Sequence, residues 1–413
     1  MRIAVLDNEL CNPKKCNYEC ISVCPVNRQD DECIHIGKDK IHPEINESLC
    51  IGCGLCHKKC PFKAWYIVNL PEEKNESPIM QFGVNGFRIF GLPAPTEGVI
   101  GLLGPNGTGK TTALRILSGQ LAPNLGEVSG VNKEELFKNL MKMHRGTELQ
   151  NYFEKISQKE AKTVYKPQQV NLLPQVMNGS VKDALKNVSE TTINDLELNG
   201  CLDRKISELS GGELQRVAIA AALSKEADIY YFDEPSSYLD VKQRINVAMA
   251  IKKLAETKIV MVVEHDLATL DIMADKIHIF YGSPGVYGTV SQPYSVRKGI
   301  NTFLEGYIPE ENLKFRNELK FQSSQEKKVS KEEQMTFEAM KKNYDTFSFT
   351  AEGGTIFKNE VIGMLGANGL GKTTFAKMLA ENNNKISYKP QYLESNFEGT
   401  VSELLGLVDQ ENR

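Results

Sequence analysis

The sequence predicts an α/β protein: cassettes of the phosphate-loop NTPase type, preceded by a small α+β unit organised around cysteines. Three observations predict it. The stretches Ile100-Gly-Leu-Leu-Gly-Pro-Asn-Gly-Thr-Gly-Lys-Thr-Thr112 and Ile362-Gly-Met-Leu-Gly-Ala-Asn-Gly-Leu-Gly-Lys-Thr-Thr374 repeat one glycine-lysine loop. Between about 79 and 290, short β-rich apolar runs alternate with helical stretches, as in a buried parallel sheet. Nine of the ten cysteines lie before residue 61, a crowding that reads as metal before disulfide.

A length of 413 residues suggests two to three domains. The 41% hydrophobic and 25% charged content is that of a globular protein. No apolar run approaches the ~20 residues of a membrane helix, and the opening Met-Arg-Ile-Ala-Val-Leu-Asp is too short for a secretory signal. A cytoplasmic protein with no membrane partner is expected. The net charge of −4 advertises no polyanion, so any RNA contact must be local.

The expected domains are 1–75 for the cysteine unit, 76–290 for the first nucleotide cassette, 291–335 for a hinge and 336–413 for a second cassette. The polar, proline-bounded stretch 71–78 is a linker, and the charged stretch 323–333 is a solvated connector. Residues 99–103 form the strand that feeds the first loop, 111–117 the helix after it, and 229–233 and 259–263 two buried strands. Further repeats set the register. Tyr165-Lys-Pro-Gln168 returns as Tyr388-Lys-Pro-Gln391, and Gly179 returns 220 residues later as Gly399. On that ruler the counterpart of Leu209 falls beyond Arg413, so the second copy is expected to lack every motif downstream of its glutamine loop. It is also compressed, with 19 residues from Lys372 to Gln391 against 58 from Lys110 to Gln168. It is therefore expected to bury too little surface to be stable alone.

Two cysteine series stand out, Cys11-x4-Cys16-x3-Cys20-x3-Cys24-Pro and Cys50-x2-Cys53-x2-Cys56-x3-Cys60-Pro. The second has the bacterial ferredoxin spacing, in which three close thiolates hold one cubane and the fourth reaches the other cluster. Cys11, Cys16, Cys20 and Cys60 would then hold one [4Fe–4S] cluster, and Cys50, Cys53, Cys56 and Cys24 the other, in a ferredoxin-like domain. Two structural zinc sites are the alternative, less suited to such tight triplets. Cys33 and Cys201 are left as ordinary thiols. Lys14, Lys15, Lys58 and Lys59 offset the anionic sulfur shell, bind a partner or are simply solvated. No flavin or acceptor site accompanies the clusters, which favours a structural role.

In the first loop, Gly104, Gly107 and Gly109 let backbone amides turn inward around phosphates beside Asn106, and the following helix points its positive end at them. Lys110 would neutralise phosphate oxygens and Thr111 would offer its hydroxyl to Mg²⁺, with Thr112 beside it. The second loop repeats these parts as Gly366, Asn368, Gly369, Gly371, Lys372, Thr373 and Thr374. Both loops imply ATP and Mg²⁺.

Leu209-Ser-Gly-Gly-Glu-Leu-Gln-Arg216 opens a helix about 100 residues past the loop and makes a second anion site. It resembles the signature motif of ATP-binding-cassette (ABC) ATPases, in which Ser210, Gly211, Gly212 and Glu213 would cap the γ-phosphate of a facing cassette. Ile229-Tyr-Tyr-Phe-Asp-Glu-Pro235 resembles the Walker B strand. The resemblance implies that Asp233 orients Mg²⁺ and Glu234 polarises the attacking water. His265 matches the switch histidine and Gln168 the glutamine loop that also serves Mg²⁺. Residues 236–240 match the D-loop. Phe82 is a candidate for stacking adenine and could equally be core.

A ferredoxin-like domain fused to tandem ABC cassettes without a membrane segment resembles the ABC-E type, or RNase L inhibitor, family of ribosome-recycling ATPases in archaea and eukaryotes. The resemblance spans the chain, including Asp233-Glu-Pro-Ser-Ser-Tyr-Leu-Asp-Val-Lys-Gln-Arg244 and Ile308-Pro-Glu-Glu-Asn-Leu-Lys-Phe-Arg316. It implies binding to the ribosomal small subunit after a release factor or Pelota, with translation initiation factors as further partners. It also implies closure on ATP and splitting of the subunits. Residues near 132–157 resemble the family's helix-loop-helix insertion. There Lys138, Lys142 and Arg145 either contact rRNA phosphates or form a solvated face.

An ABC site is composite. Lys110, Asp233, Glu234 and His265 are half of one site, which needs a signature from the second cassette. Lys372, Thr373 and Gln391 are half of the other, facing Ser210 and Gly212. Three arrangements would complete them: a longer or second polypeptide, two copies paired head to tail, or a nucleotide-binding regulator that does not hydrolyse. A non-hydrolysing ribosome-associated or assembly protein is thus the competing function.

Overall fold

The computed structural model describes the chain except residues 1, 9, 38, 70–77, 84, 128–132, 178, 321–331, 345–346, 383–385, 391–398, 400–402 and 406–413. It divides into two compact units, Met1–Phe321 and Gln322–Arg413. The expected solvated connector therefore lies almost wholly outside the described residues.

The first unit opens with β1 (Arg2–Leu6) paired antiparallel to β4 (Trp65–Asn69), which ties the two ends of the cysteine segment together. Between them lie α1 (Glu19–Val23), the hairpin of β2 (Ile34–Ile36) and β3 (Pro43–Ile45), and α2 (Leu55–Lys59). Their small core combines Ala4, Val26, Ile34, Ile45 and Trp65 with buried cysteines.

Beyond it lies a nine-stranded sheet. In chain order its parts are β5 (Met80–Gln81), β6 (Arg88–Ile89), β7 (Gly98–Leu103) and α3 (Lys110–Leu117), then α4 (Lys133–Met143), α5 (Glu148–Ser157) and β8 (Thr163–Lys166). Three short helices, α6 (Leu173–Val176), α7 (Val181–Ala184) and α8 (Glu190–Asp195), lead to α9 (Gly211–Leu223) and β9 (Ile229–Asp233). Next come α10 (Val241–Ala255), β10 (Ile259–Val263), α11 (Leu267–Met273), β11 (Lys276–Ser283) and β12 (Tyr287–Val290). The order across eight of its strands is β5-β6-β12-β11-β7-β10-β9-β8, parallel from β11 to β8, and the ninth, β13 (Tyr294–Ser295), pairs antiparallel with β11 off this path.

Alternation along these strands covers both faces. Val99, Leu103, Tyr230, Phe232, Val260 and Val262 enter one core with helices α9 to α11. Ile100, Leu102, Ile229, Tyr231, Met261 and Val263 enter the other with α3 and α5. A parallel sheet of this kind presents ligands at the carboxyl ends of its strands. The helices start where the sequence provides caps: Ser210 and Glu213 form a capping box on α9, Asp240 and Gln243 another on α10, and Asp266 caps α11.

Residues expected to form the hinge are in part packed into this unit. After β13 (Tyr294–Ser295), α12 (Val296–Glu305) lays Val296, Ile300 and Phe303 against the first core, and Phe315 joins them beyond the β14 (Tyr307–Ile308) and β15 (Leu313–Lys314) hairpin. The reason is the apolar spacing of α12, which the charged residues beyond it obscure in the sequence.

The second unit contains β16 (Glu333–Phe337) paired with β19 (Gly354–Phe357), β17 (Met340–Tyr344) paired with β18 (Phe347–Ala351), and α13 (Lys372–Asn382). Phe337 and Phe349 pack on Phe375 of α13, ring centroids 5.6 and 6.1 Å apart. The residues that lead into its glycine loop belong to no helix or strand among the described residues, with Val361 96% and Leu365 98% exposed.

Candidate functional site

At the end of β7 the chain turns through Gly104, Asn106, Gly107 and Gly109 into α3. Gly109 has φ of 92°, and a Cβ there would meet the Phe87 ring at 2.9 Å, so only glycine fits. The buried Lys110 ammonium folds back onto the carbonyls of Gly104 and Pro105, both at 2.8 Å. Burial pulls its pKa down to about 8, against the opposing pull of Glu234 and Asp233. Thr112 lies half-buried beside Thr111 on the same helix.

Asp233 ends β9 wholly inside the protein. Thr111 donates to its carboxylate, and the Tyr165 hydroxyl donates to Oδ2 at 3.0 Å. Oδ1 is buried with no partner. Burial raises this carboxyl above its ordinary range, the hydrogen bonds opposing. An orphaned acceptor beside a threonine hydroxyl fits Mg²⁺, which Asp233 and Thr111 would hold and which would neutralise phosphate charge.

Glu234 follows with φ of 45°. Its Oε1 accepts from Gln168 Nε2 at 2.8 Å and lies 3.4 Å from His265 Nε2, while Oε2 accepts from Ser237 Oγ at 3.1 Å. The His265 contact above all holds this carboxyl below its ordinary range, so it stays charged. Gln168 thus turns its amide towards Glu234. Three further buried groups surround the turn, and sequence reasoning alone does not select them. Lys166 reaches the Asp233 carbonyl and Gln215 the Glu234 carbonyl. Glu264 accepts from the amides of His265 at 2.7 Å, Asp266 at 3.0 Å and Ser236 at 3.3 Å, which orients two motif loops at once. Each stands inside a recognised motif, but only the fold shows that its side chain points inward.

Ser210 is exposed at the start of α9, ahead of Gly211 and Gly212 in the first turn, and Arg204 holds Glu213 at 2.7 Å. Phe82 is 45% exposed, its ring centroid 6.4 Å from that of Phe87. In the second unit Lys372 folds onto the carbonyls of Gly366 and Ala367 at 2.6 and 2.5 Å, as Lys110 does on its own loop. Gly371 lies under Phe349 as Gly109 lies under Phe87. Asn368, Gly369 and Thr373 are exposed and Thr374 is half-buried. Gln391 lies outside the described residues. Lys138, Lys142 and Arg145 are exposed on and just after α4.

The cysteines line two hollows. Cys11, Cys16, Cys20 and Cys60 border one, together with Tyr18 and Trp65. Cys24, Cys50, Cys53 and Cys56 border the other, with Cys33 as a fifth thiol. Cys33 is thus part of the cavity wall, which its place at the approach to β2, outside both series, concealed in the sequence. Among the described residues no three His, Cys, Asp or Glu side chains converge closely enough to grip a single metal ion. Four sulfurs spread around a hollow suit a cubane better than a mononuclear zinc. Burial and neighbouring thiols push Cys11 up to about 11 and Cys56 to about 12, a crowding that a cationic iron core reverses.

The profile of the ABC transporter family matches residues 91–237, that of a possible Fer4-like domain in RNase L inhibitor residues 1–32, and that of a 4Fe-4S binding domain residues 43–66. An uncharacterized ABC transporter ATP-binding protein of Methanocaldococcus jannaschii is 48% identical over 99% of this chain and 70% of its own. Translation initiation factor RLI1 of Saccharomyces cerevisiae is 43% identical over 98% of this chain and 70% of its own. Among solved structures, a model of ribosome-bound archaeal Pelota and ABCE1 is similar with a TM-score of 0.89 and 48% identity, over all of this chain and 72% of that one. The chain belongs to the ABC-E, or RNase L inhibitor, family of ATP-binding-cassette ATPases.

Proposed function

We propose that this protein is an ATP hydrolase that splits ribosomes into subunits after termination or rescue. The observation that carries the reading is the Glu234 carboxylate, held charged by Gln168, His265 and Ser237 one residue past the buried Asp233. Such a carboxylate can orient and polarise a water aimed at a γ-phosphate. Lys110 and the loop amides bind the phosphates. Thr111, Asp233 and Gln168 hold Mg²⁺, which neutralises phosphate charge when bound. The second loop takes phosphates through Lys372, Thr373 and Thr374, and Ser210 with Gly211 and Gly212 completes a site on a facing cassette.

The two cysteine quartets hold [4Fe–4S] clusters, which supply rigidity to a unit with little core of its own. The relatives' ribosome-bound and translation roles support small-subunit partners here, with the exposed Lys138, Lys142 and Arg145 as the candidate contacts to rRNA phosphates. Pelota or a release factor is the companion, and translation initiation factors are further partners. Among the described residues no helix is long and apolar enough to cross a membrane, and cytoplasmic work on ribosomes is the setting proposed. Steady-state ATP turnover, with and without ribosomes, tests the reading. Glu234→Gln should keep ATP binding and lose about 100-fold or more in turnover. An unchanged rate would remove Glu234 from its role, and no wild-type turnover in either condition would favour a non-hydrolysing ribosome-associated protein.

A further inference from the structure

The backbone that presents Glu234 is pinned from three elements. Its left-handed φ of 45° is a conformation that residues with a Cβ rarely hold unless the surroundings impose it. From β10, the Val263 carbonyl accepts the Glu234 amide at 3.0 Å. From β8, Lys166 Nζ donates to the Asp233 carbonyl at 3.1 Å. From α9, Gln215 Nε2 donates to the Glu234 carbonyl at 2.7 Å. Lys166 is 1% exposed and Gln215 wholly buried.

An ammonium this deep is costly to desolvate, and a methionine of similar length would fill the space without that cost. What the charge achieves is its grip on the turn, in the company of Asp233, Glu234 and Glu264. The second copy of the tetrapeptide makes the contrast. Lys389 of Tyr388-Lys-Pro-Gln391 is exposed and donates to the Pro390 carbonyl at 3.4 Å. The tetrapeptide alone therefore does not bury its lysine; in the first copy it is the Asp-Glu strand beside it that gives the ammonium a place.

We propose that Lys166 and Gln215 are positioning residues for ATP hydrolysis, which fix the carbonyls on both sides of the strained Glu234 residue and so aim its carboxylate. Neither touches the nucleotide in this scheme. Gln215 sits five residues beyond Ser210 on the signature helix, so a shift of that helix on engaging phosphate is passed to Glu234 through one hydrogen bond. The inference rests on the proposed role of Glu234.

The test uses the full chain as Lys166→Met and Gln215→Met, each similar in shape and without the donor. Hydrogen exchange should quicken about tenfold or more in a peptide spanning 231–240 and stay unchanged across α3. Turnover should fall about tenfold or more with KM for ATP within about twofold of wild type. Unchanged exchange and turnover, or a raised KM at unchanged kcat, would overturn the proposal. Should Lys166→Met fail to fold, the uncharged exchange at Gln215 carries the same test. A wild-type chain without turnover would sink the hydrolase reading, while local exchange would still decide whether these two side chains hold the turn.

Discussion

Nε2 of His265 stands 3.4 Å from Oε1 of Glu234, on the oxygen that also accepts from Gln168 at 2.8 Å. The imidazole is the main reason the carboxyl lies below its ordinary range. A depressed carboxylate contributes stability at pH above its unfolded value and loses it as pH falls through its folded value. His265→Ala should therefore raise the Glu234 pKa towards that of a free glutamate. Carboxyl-carbon NMR of Glu234 against pH checks this, and turnover should fall about 100-fold alongside.

Lys110 gives a second pH effect with a definite sign. Its folded pKa of about 8 lies below the 10.5 of a free lysine, so between these values the unfolded chain binds more protons and stability from this residue rises with pH. Phosphate favours the charged amine. ATP binding should accompany proton uptake above pH 8 and weaken as pH rises further, with no uptake well below it. Calorimetry in buffers of different ionisation enthalpy reads the proton count directly.

The alternating apolar strands, the cassette motifs and both cysteine series were legible because each is local: a period of two, a glycine loop, a fixed spacing. The buried roles of Lys166, Gln215 and Glu264 were not, since a charged or amide side chain inside a motif looks the same whether it faces solvent or core. The packing of Phe303 and Phe315 was likewise hidden behind neighbouring charge. Cys33 escaped because no spacing links it to the residues it meets in space.

Cys33 borders the same hollow as Cys24, Cys50, Cys53 and Cys56 but stands outside the proposed ligand quartets. Iron analysis should find about eight irons per chain in wild type and in Cys33→Ala, and about four in Cys56→Ala. A loss of half the iron in Cys33→Ala would make it a ligand.

Arg88 of β6 pairs with Glu47 just beyond β3, with side-chain exposures of 8% and 19%, and Asn85 donates to the Ile45 carbonyl at 2.9 Å. These contacts fasten the cysteine segment to the first cassette. Glu47→Ala strands a buried guanidinium and should cost about 3–5 kcal/mol. Adding Arg88→Met removes the stranded charge, so the double variant should be more stable than Glu47→Ala alone. Denaturant melts of the three proteins decide it.

Co-sedimentation of Glu234→Gln with purified small ribosomal subunits, in ATP and in ADP, tests the account most directly. A charged carboxylate that drives hydrolysis predicts that the variant stays on the subunit in ATP and leaves in ADP, whereas the wild type departs in both once ATP is consumed. Equal retention of the variant in the two nucleotides, or none in either, would contradict it.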